Sequence, residues 1–342
     1  MAKYLISFLL AFILTASFIF VLKFFTGKIA WRGRISARHI GKKDVFRVGG
    51  IAMIIAFNLA LLFNDYLVIT PTLSGVMLAS LFVLVVGAWD DVREVFWKTQ
   101  LFYQVAISLL VYIFGLRIYA VTNPLGGIIE FSSSWGVIIS VALVIFWIVT
   151  IINSLNWLDG IDGLSGGVSF ICAMTMVVLS LTPDVNQPPV AILALAVAGS
   201  ILGFLVFNFY PSIIIAGTSG SMFMGFSLAI LAIFAGTKIA TAILVLSLPI
   251  IDFAWVIGER IKNKKSIFKA DKNHLHYKLM ELGWSQRKIA LYYYVVTLII
   301  AIVALNTRVI GKSITLLATI IIMTSALFFI NKKLAQKKLT ER

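Results

Sequence analysis

Charge is scarce in this chain, and the charge that is present has one dominant sign. Only 13% of the 342 residues are Asp, Glu, Lys or Arg, against 61% hydrophobic residues. A soluble domain of this size carries roughly a quarter charged residues, so a water-soluble globule is excluded. Lys and Arg number 29 and Asp and Glu 14. Such an excess could suit nucleic acid, but the cations crowd between apolar segments instead of forming a soluble basic domain, so nucleic acid is not an expected partner. A single cysteine, Cys172, excludes an intrachain disulfide and leaves the redox compartment unreadable. With no thiol near the histidines, a zinc site is disfavoured. No internal repeat or low-complexity tract is present.

Apolar runs, by contrast, are abundant. Many reach about 18–22 residues, the length a helix needs to cross the hydrocarbon layer. Lipid offers the backbone no hydrogen-bond partner, so the spans must be helical. The reading is an all-α integral membrane protein of about eleven transmembrane helices, at 4–25, 49–64, 70–89, 100–120, 135–153, 164–182, 190–208, 221–237, 239–258, 289–306 and 313–331. The first run lacks a small-residue cleavage site and is expected to be retained. Alternating the connections places 24 of the 29 Lys and Arg on one side. The positive-inside rule makes that side cytoplasmic, with the N-terminus outside and the C-terminus inside. The whole of 1–342 is then one polytopic domain. It carries a cytoplasmic loop at 259–288 and a basic tail at 332–342. On the outer side, the Asn123 to Gly127 segment followed by Ile128 to Phe131 predicts a small hairpin.

Every unusual polar cluster falls on the basic side. Asn153-Ser154-Leu155-Asn156-Trp157-Leu158-Asp159-Gly160-Ile161-Asp162-Gly163-Leu164 sits between two long apolar runs. Ionisable groups near membrane depth need a reason to be there. Asp159 and Asp162, three apart, would share a face on a helical turn. Asn153 and Asn156 add neutral oxygens and amide donors. Helix capping explains one or two such residues, not four at regular spacing. Asp90-Asp91 is a second candidate, since adjacent carboxylates repel unless a cation lies between them. A solvated helix end near Arg93 is the bland alternative. Gly217-Thr218-Ser219-Gly220-Ser221 is either a phosphate-cradling helix start or a plain turn. Asp271 to Leu279 carries His274 and His276 with lysines. It reads as a phosphate-binding loop or as a basic segment on anionic lipid. Arg47 beside Gly49 and Gly50 ends the basic first loop.

Taken in order, these clusters resemble the polyprenyl-phosphate N-acetylhexosamine-1-phosphate transferase family. The resemblance runs from Arg47-Val48-Gly49-Gly50 to Gly283. The Asn153 to Leu164 string carries most of it, joined by Pro249-Ile250-Ile251-Asp252 and the His274-Leu275-His276-Tyr277 stretch of the GlcNAc-1-phosphate subgroup. The resemblance implies transfer of a sugar-1-phosphate from a UDP-sugar to undecaprenyl phosphate, with release of UMP. It implies Mg²⁺ as cofactor, with Mn²⁺ as a substitute, and an active site at the cytoplasmic face of a bacterial plasma membrane. By matching position, Asp90 would act as base on, or orient, the lipid phosphate, with Asp91 assisting. Asn156 would be a metal ligand. Asp159 and Asp162 would line the nucleotide pocket, Lys43 would reach the nucleotide and Arg47 would lie close by. Asn153 joins the substrate-binding set, and His274 and His276 would hold the pyrophosphate or the sugar. A homodimer is left open.

The chain departs from the family pattern at three positions. Thr218 stands where relatives carry a metal-binding Asp. Gln100 stands where they carry Lys, with Lys98 near enough to assist, and Tyr277 replaces a His. The rivals are a catalytically impaired relative that binds lipid phosphate or a nucleotide sugar, and an ion-coupled transporter for which Asp252 is the one candidate carboxylate.

Overall fold

The computed structural model describes residues 2–26, 46–123, 127–131, 133–236, 239–267 and 273–340. Lys43, Asp271 and Lys272 lie outside the described residues. Thirteen helices and one hairpin make up the described chain. Each expected span contains a helix, but the spans are unequal. Eight helices are long and apolar enough to cross a membrane, or nine if one bent pair counts as a span.

A helix that is apolar on every side belongs inside a bundle. Here that helix is α8 (Gly217–Phe234), nearly all of whose residues are buried. Packed against it are α2 (Gly49–Leu62), α3 (Pro71–Val92), α5 (Ser134–Leu158) and α6 (Leu164–Leu181). A further layer holds α1 (Ala2–Thr26), which lies along α7 (Pro188–Asn208), and α4 (Trp97–Ile113), which lies on α3 and α5. The outward faces of the helices expose large apolar side chains such as Phe20, Phe146 and Phe328. Bare apolar surface of that extent fits lipid, not water.

Local chemistry sets several helix starts. Thr70 accepts from the Leu73 N–H ahead of Pro71, and Ser133 accepts from the Gly136 N–H, satisfying amides that have no partner inside the helix. The expected hairpin is present, with β1 (Ala120–Thr122) antiparallel to β2 (Ile128–Glu130).

The ninth span is broken. α9 (Ile239–Val245) and α10 (Ser247–Lys262) meet at 69°. Pro249 supplies the cause, because its ring conflicts with the carbonyl four residues back, which is that of Val245, the last residue of α9. The Cys172 thiol donates to this freed carbonyl at 3.6 Å. After α10 comes the short α11 (Leu275–Glu281), then α12 (Gln286–Asn306) and α13 (Val309–Thr340).

Candidate active site at the inner helix ends

The C-terminal end of α3 meets the N-terminal end of α8 with almost no space between them. Gly87 makes this approach possible, since a methyl group there would overlap the Ser219 backbone. The Arg47 segment is annealed beside them, with the Ile215 N–H donating to the Phe46 carbonyl and the Gly50 N–H donating to the Ala216 carbonyl.

The Asp91 side chain is buried at this junction. Its carboxylate accepts from the N–H groups of Thr218 and Ser219 at 2.7 and 3.2 Å and from the Ser219 hydroxyl at 2.9 Å. The Arg47 guanidinium lies 3.7 Å away. A helix N-terminus attracts an anion, and here that anion is the protein's own carboxylate. The Gly217 to Ser221 turn is therefore not an open phosphate cradle, because Asp91 fills it.

Asp90 is also buried, and its partners differ in kind. One oxygen accepts from the Val95 N–H and the Gln100 amide, both at 2.8 Å. The other accepts from the Thr218 hydroxyl at 2.6 Å. All three donors are neutral. A carboxylate offers about four lone-pair positions, so roughly one remains for a ligand. Lys98 does not join this cluster, as its ammonium lies 5.6 Å over the Trp97 ring.

The twelve-residue string spans a helix end and a turn, which corrects the expectation of a shared helical face. α5 stops at Leu158 and Asp159 caps it. Gly163, with φ of 75°, opens α6. Asp159 therefore accepts from the Ser165 hydroxyl at 2.5 Å, while Asp162 accepts from the Ser212 N–H and hydroxyl at 3.0 and 2.8 Å. Asn208 joins the Gly163 N–H to the Ile214 carbonyl. Asn153 is committed within the bundle, donating to Gln104 and to the Val149 carbonyl. Asn156 lies half-buried in the last turn of α5.

The histidines belong to a buried aromatic nest. Asp252, projecting from α10, bonds His274 Nδ1 at 2.8 Å and caps α11 through the Leu275 N–H at 2.8 Å. In the neutral ring, a proton on Nδ1 facing the carboxylate leaves Nε2 as the acceptor. With its oxygens so engaged, Asp252 has the environment of a structural partner to His274 and not of a proton-path carboxylate. Trp157 packs on Phe253 and on the edge of His274, and the Arg260 guanidinium lies 4.6 Å over its indole. His276 stacks parallel to His274 at 5.6 Å. It is fully buried, and among the described residues neither ring nitrogen has a hydrogen-bond partner. Burial, partly opposed by the Asp252 carboxylate, pushes its pKa down to about 3, so the ring is neutral at pH 7. Its Nε2 and the Tyr277 hydroxyl press so closely on Gly160 that a methyl group there would overlap both.

These groups form one connected set. Ser212 and Thr218, on the single segment between α7 and the first turn of α8, hold Asp162 and Asp90 respectively. Gly160, within the same turn as Asp162, is the seat of His276. Sequence reasoning assigned no role to Ser212 or Trp157. Asp252 was signalled by its place after Pro249 and as the candidate carboxylate of a transporter, not as a partner of His274. Among the described residues no three His, Cys, Asp or Glu side chains converge as a metal cage. The donors instead fit a magnesium ion bound together with substrate phosphates, for which one or two carboxylates suffice.

Comparison with known proteins bears on this arrangement. Residues 73–236 match the family model for glycosyl transferase family 4. A probable undecaprenyl-phosphate N-acetylglucosaminyl 1-phosphate transferase of Bacillus subtilis is 30% identical over 278 residues, covering 79% of this chain and 75% of that protein. A decaprenyl-phosphate N-acetylglucosaminephosphotransferase of Mycobacterium leprae is 30% identical over 293 residues, covering 76% and 73%. A phospho-N-acetylmuramoyl-pentapeptide-transferase of Bacillus pumilus is 28% identical over 287 residues, covering 79% and 86%.

Proposed function

The chain belongs to glycosyl transferase family 4 and is a phosphoglycosyl transferase, and from that premise we propose that it transfers GlcNAc-1-phosphate from UDP-GlcNAc to undecaprenyl phosphate. In this reaction an oxygen of the lipid phosphate attacks the β-phosphorus of the nucleotide sugar. The bond between that phosphorus and the bridging oxygen breaks, and UMP leaves with that oxygen. The product is a lipid pyrophosphate bearing the sugar, the starting point of a cell-envelope polysaccharide.

One observation carries the reading. Asp90, Asp162 and His276 come from distant parts of the sequence, yet a single chain of contacts through residues 160–163 and 212–218 links them. Such a cluster at helix ends lies where a lipid phosphate and a soluble nucleotide can meet. Asp90 would orient the lipid phosphate, with its lone pairs aimed by three neutral donors. Arg47 and Lys43 would offset charge on the nucleotide, whose pocket Asp159 and Asp162 would border. His276, neutral and without a hydrogen-bond partner among the described residues, can donate from one ring nitrogen and accept at the other. With His274 it would hold the sugar or the pyrophosphate. Thr218 and Asn156, with Asp90, would hold Mg²⁺ or Mn²⁺. Such an ion offsets the repulsion between two phosphates. The face bearing the cluster would be cytoplasmic.

Purified protein given undecaprenyl phosphate, Mg²⁺ and a panel of UDP-sugars tests this. UDP-GlcNAc should yield the most sugar-bearing lipid. If no UDP-N-acetylhexosamine yields any, the reading is wrong.

A further inference from the structure

The two positions at which the inner cluster loses a charge relative to the family pattern, 100 and 218, lie in different helices and hold the same carboxylate. The Gln100 amide donates to one oxygen of Asp90 at 2.8 Å, and the Thr218 hydroxyl donates to the other at 2.6 Å. The pattern would place a cation at the first position and an anion at the second. This chain has neither, so the two changes cancel in charge. We propose that Gln100 and Thr218 are positioning residues that form a neutral bracket around Asp90, and that each is functional only in the presence of the other. The activity arm of this inference rests on the transfer reaction proposed above, but the stability arm does not.

Charge accounts for the coupling. A carboxylate at position 218 would reach Asp90 within hydrogen-bond distance. Two carboxylates that close repel unless one binds a proton or a cation intervenes. The backbone there is held by the Thr218 N–H on Asp91, so only a change of rotamer could move that carboxylate away. An ammonium at position 100 would supply the missing cation. An ammonium opposite Thr218 would instead pair directly with Asp90 and take up the charge that a substrate-borne cation would use. Asp90 is nearly buried, so solvent screens neither effect well.

The experiment compares wild type, Gln100→Lys, Thr218→Asp and the double variant, all purified in detergent. Melting temperature is read without metal or substrate, and the transfer rate is read separately. Thr218→Asp should lower the melting temperature, and each single variant should lose rate by about tenfold, a size typical of coupled contacting residues. The double variant should recover most of both losses. Melting temperatures in which the double variant equals the sum of the singles would overturn the bracket. If Thr218→Asp does not fold, Thr218→Asn takes its place. Its melting temperature alone should match that of wild type and should gain nothing from Gln100→Lys, and a gain would also overturn the bracket. Coupled melting temperatures in a wild type that makes no product would refute the transfer reading and leave the bracket standing. Additive temperatures in an active enzyme would do the reverse.

Discussion

His274 shows how much of this site is decided by residues that touch no substrate. Its ring is oriented by Asp252 and flanked by Trp157, and Arg260 lies over that indole. Removing the carboxylate charge leaves the imidazole free to change tautomer and tilt. Partners that orient a functional His contribute typically 10–100-fold to function. Asp252→Asn should therefore lower kcat/KM by roughly that factor while the purified protein keeps its helical circular dichroism. An unchanged kcat/KM would separate Asp252 from His274 function. The candidate acids, amides and histidines were legible in the sequence because polar residues in apolar surroundings stand out. Their partners were not. Ser165, Ser212 and Ser219 are small and common, and nothing in their spacing tells which carboxylate each will meet. Asp91 was recognisable as unusual, yet its role in capping α8 depends on a contact between residues far apart in the chain.

At the scale of elements, the helices were readable from hydropathy and the irregular joints were not. The string from Asn153 to Leu164 carries a helical pattern of polar residues, but Gly160 and Gly163 stop α5 and start α6 within it. Three-residue spacing therefore does not put Asp159 and Asp162 on one face. The break at Val245 follows from Pro249, a signal present in the sequence but hidden inside an apolar run. The hairpin was legible because Asn, Pro and Gly bound two short β-branched segments. Gly160 is the joint on which the first of these elements meets α11. Gly160→Ala should push His276 and Tyr277 away and destabilise the fold by about 1–3 kcal/mol, as overpacking does. Binding of a UDP-sugar, measured by calorimetry, should weaken strongly, while Gly258→Ala, where a methyl group meets open space, should leave it unchanged. Equal affinities in the two variants would show that the α11 contact is irrelevant to the site.

For the whole molecule, the uneven distribution of Lys and Arg is the feature that predicts orientation. By the positive-inside rule, the proposed arrangement puts the helix ends that carry the clustered acids and imidazoles in the cytoplasm. Single-cysteine labelling with a membrane-impermeant maleimide checks this in a Cys172→Ser background. In intact cells Asp184→Cys should label and Ser266→Cys should not, and inverted vesicles should reverse the pattern. The opposite result would put the site on the outer face, away from any nucleotide sugar. The basic side and the number of hydrophobic runs were apparent in the composition. That α2 and α4 are only 14 and 17 residues long was not, because apolar residues continue past their ends into turns.

The central claim is that the phosphate next to the sugar moves with it. UDP-GlcNAc labelled with ³²P in the β-phosphate, incubated with purified protein and undecaprenyl phosphate, tests this most directly. The account predicts that the label enters the lipid and that unlabelled UMP forms in equal amount. Label remaining in released UDP, with sugar alone on the lipid, would contradict it.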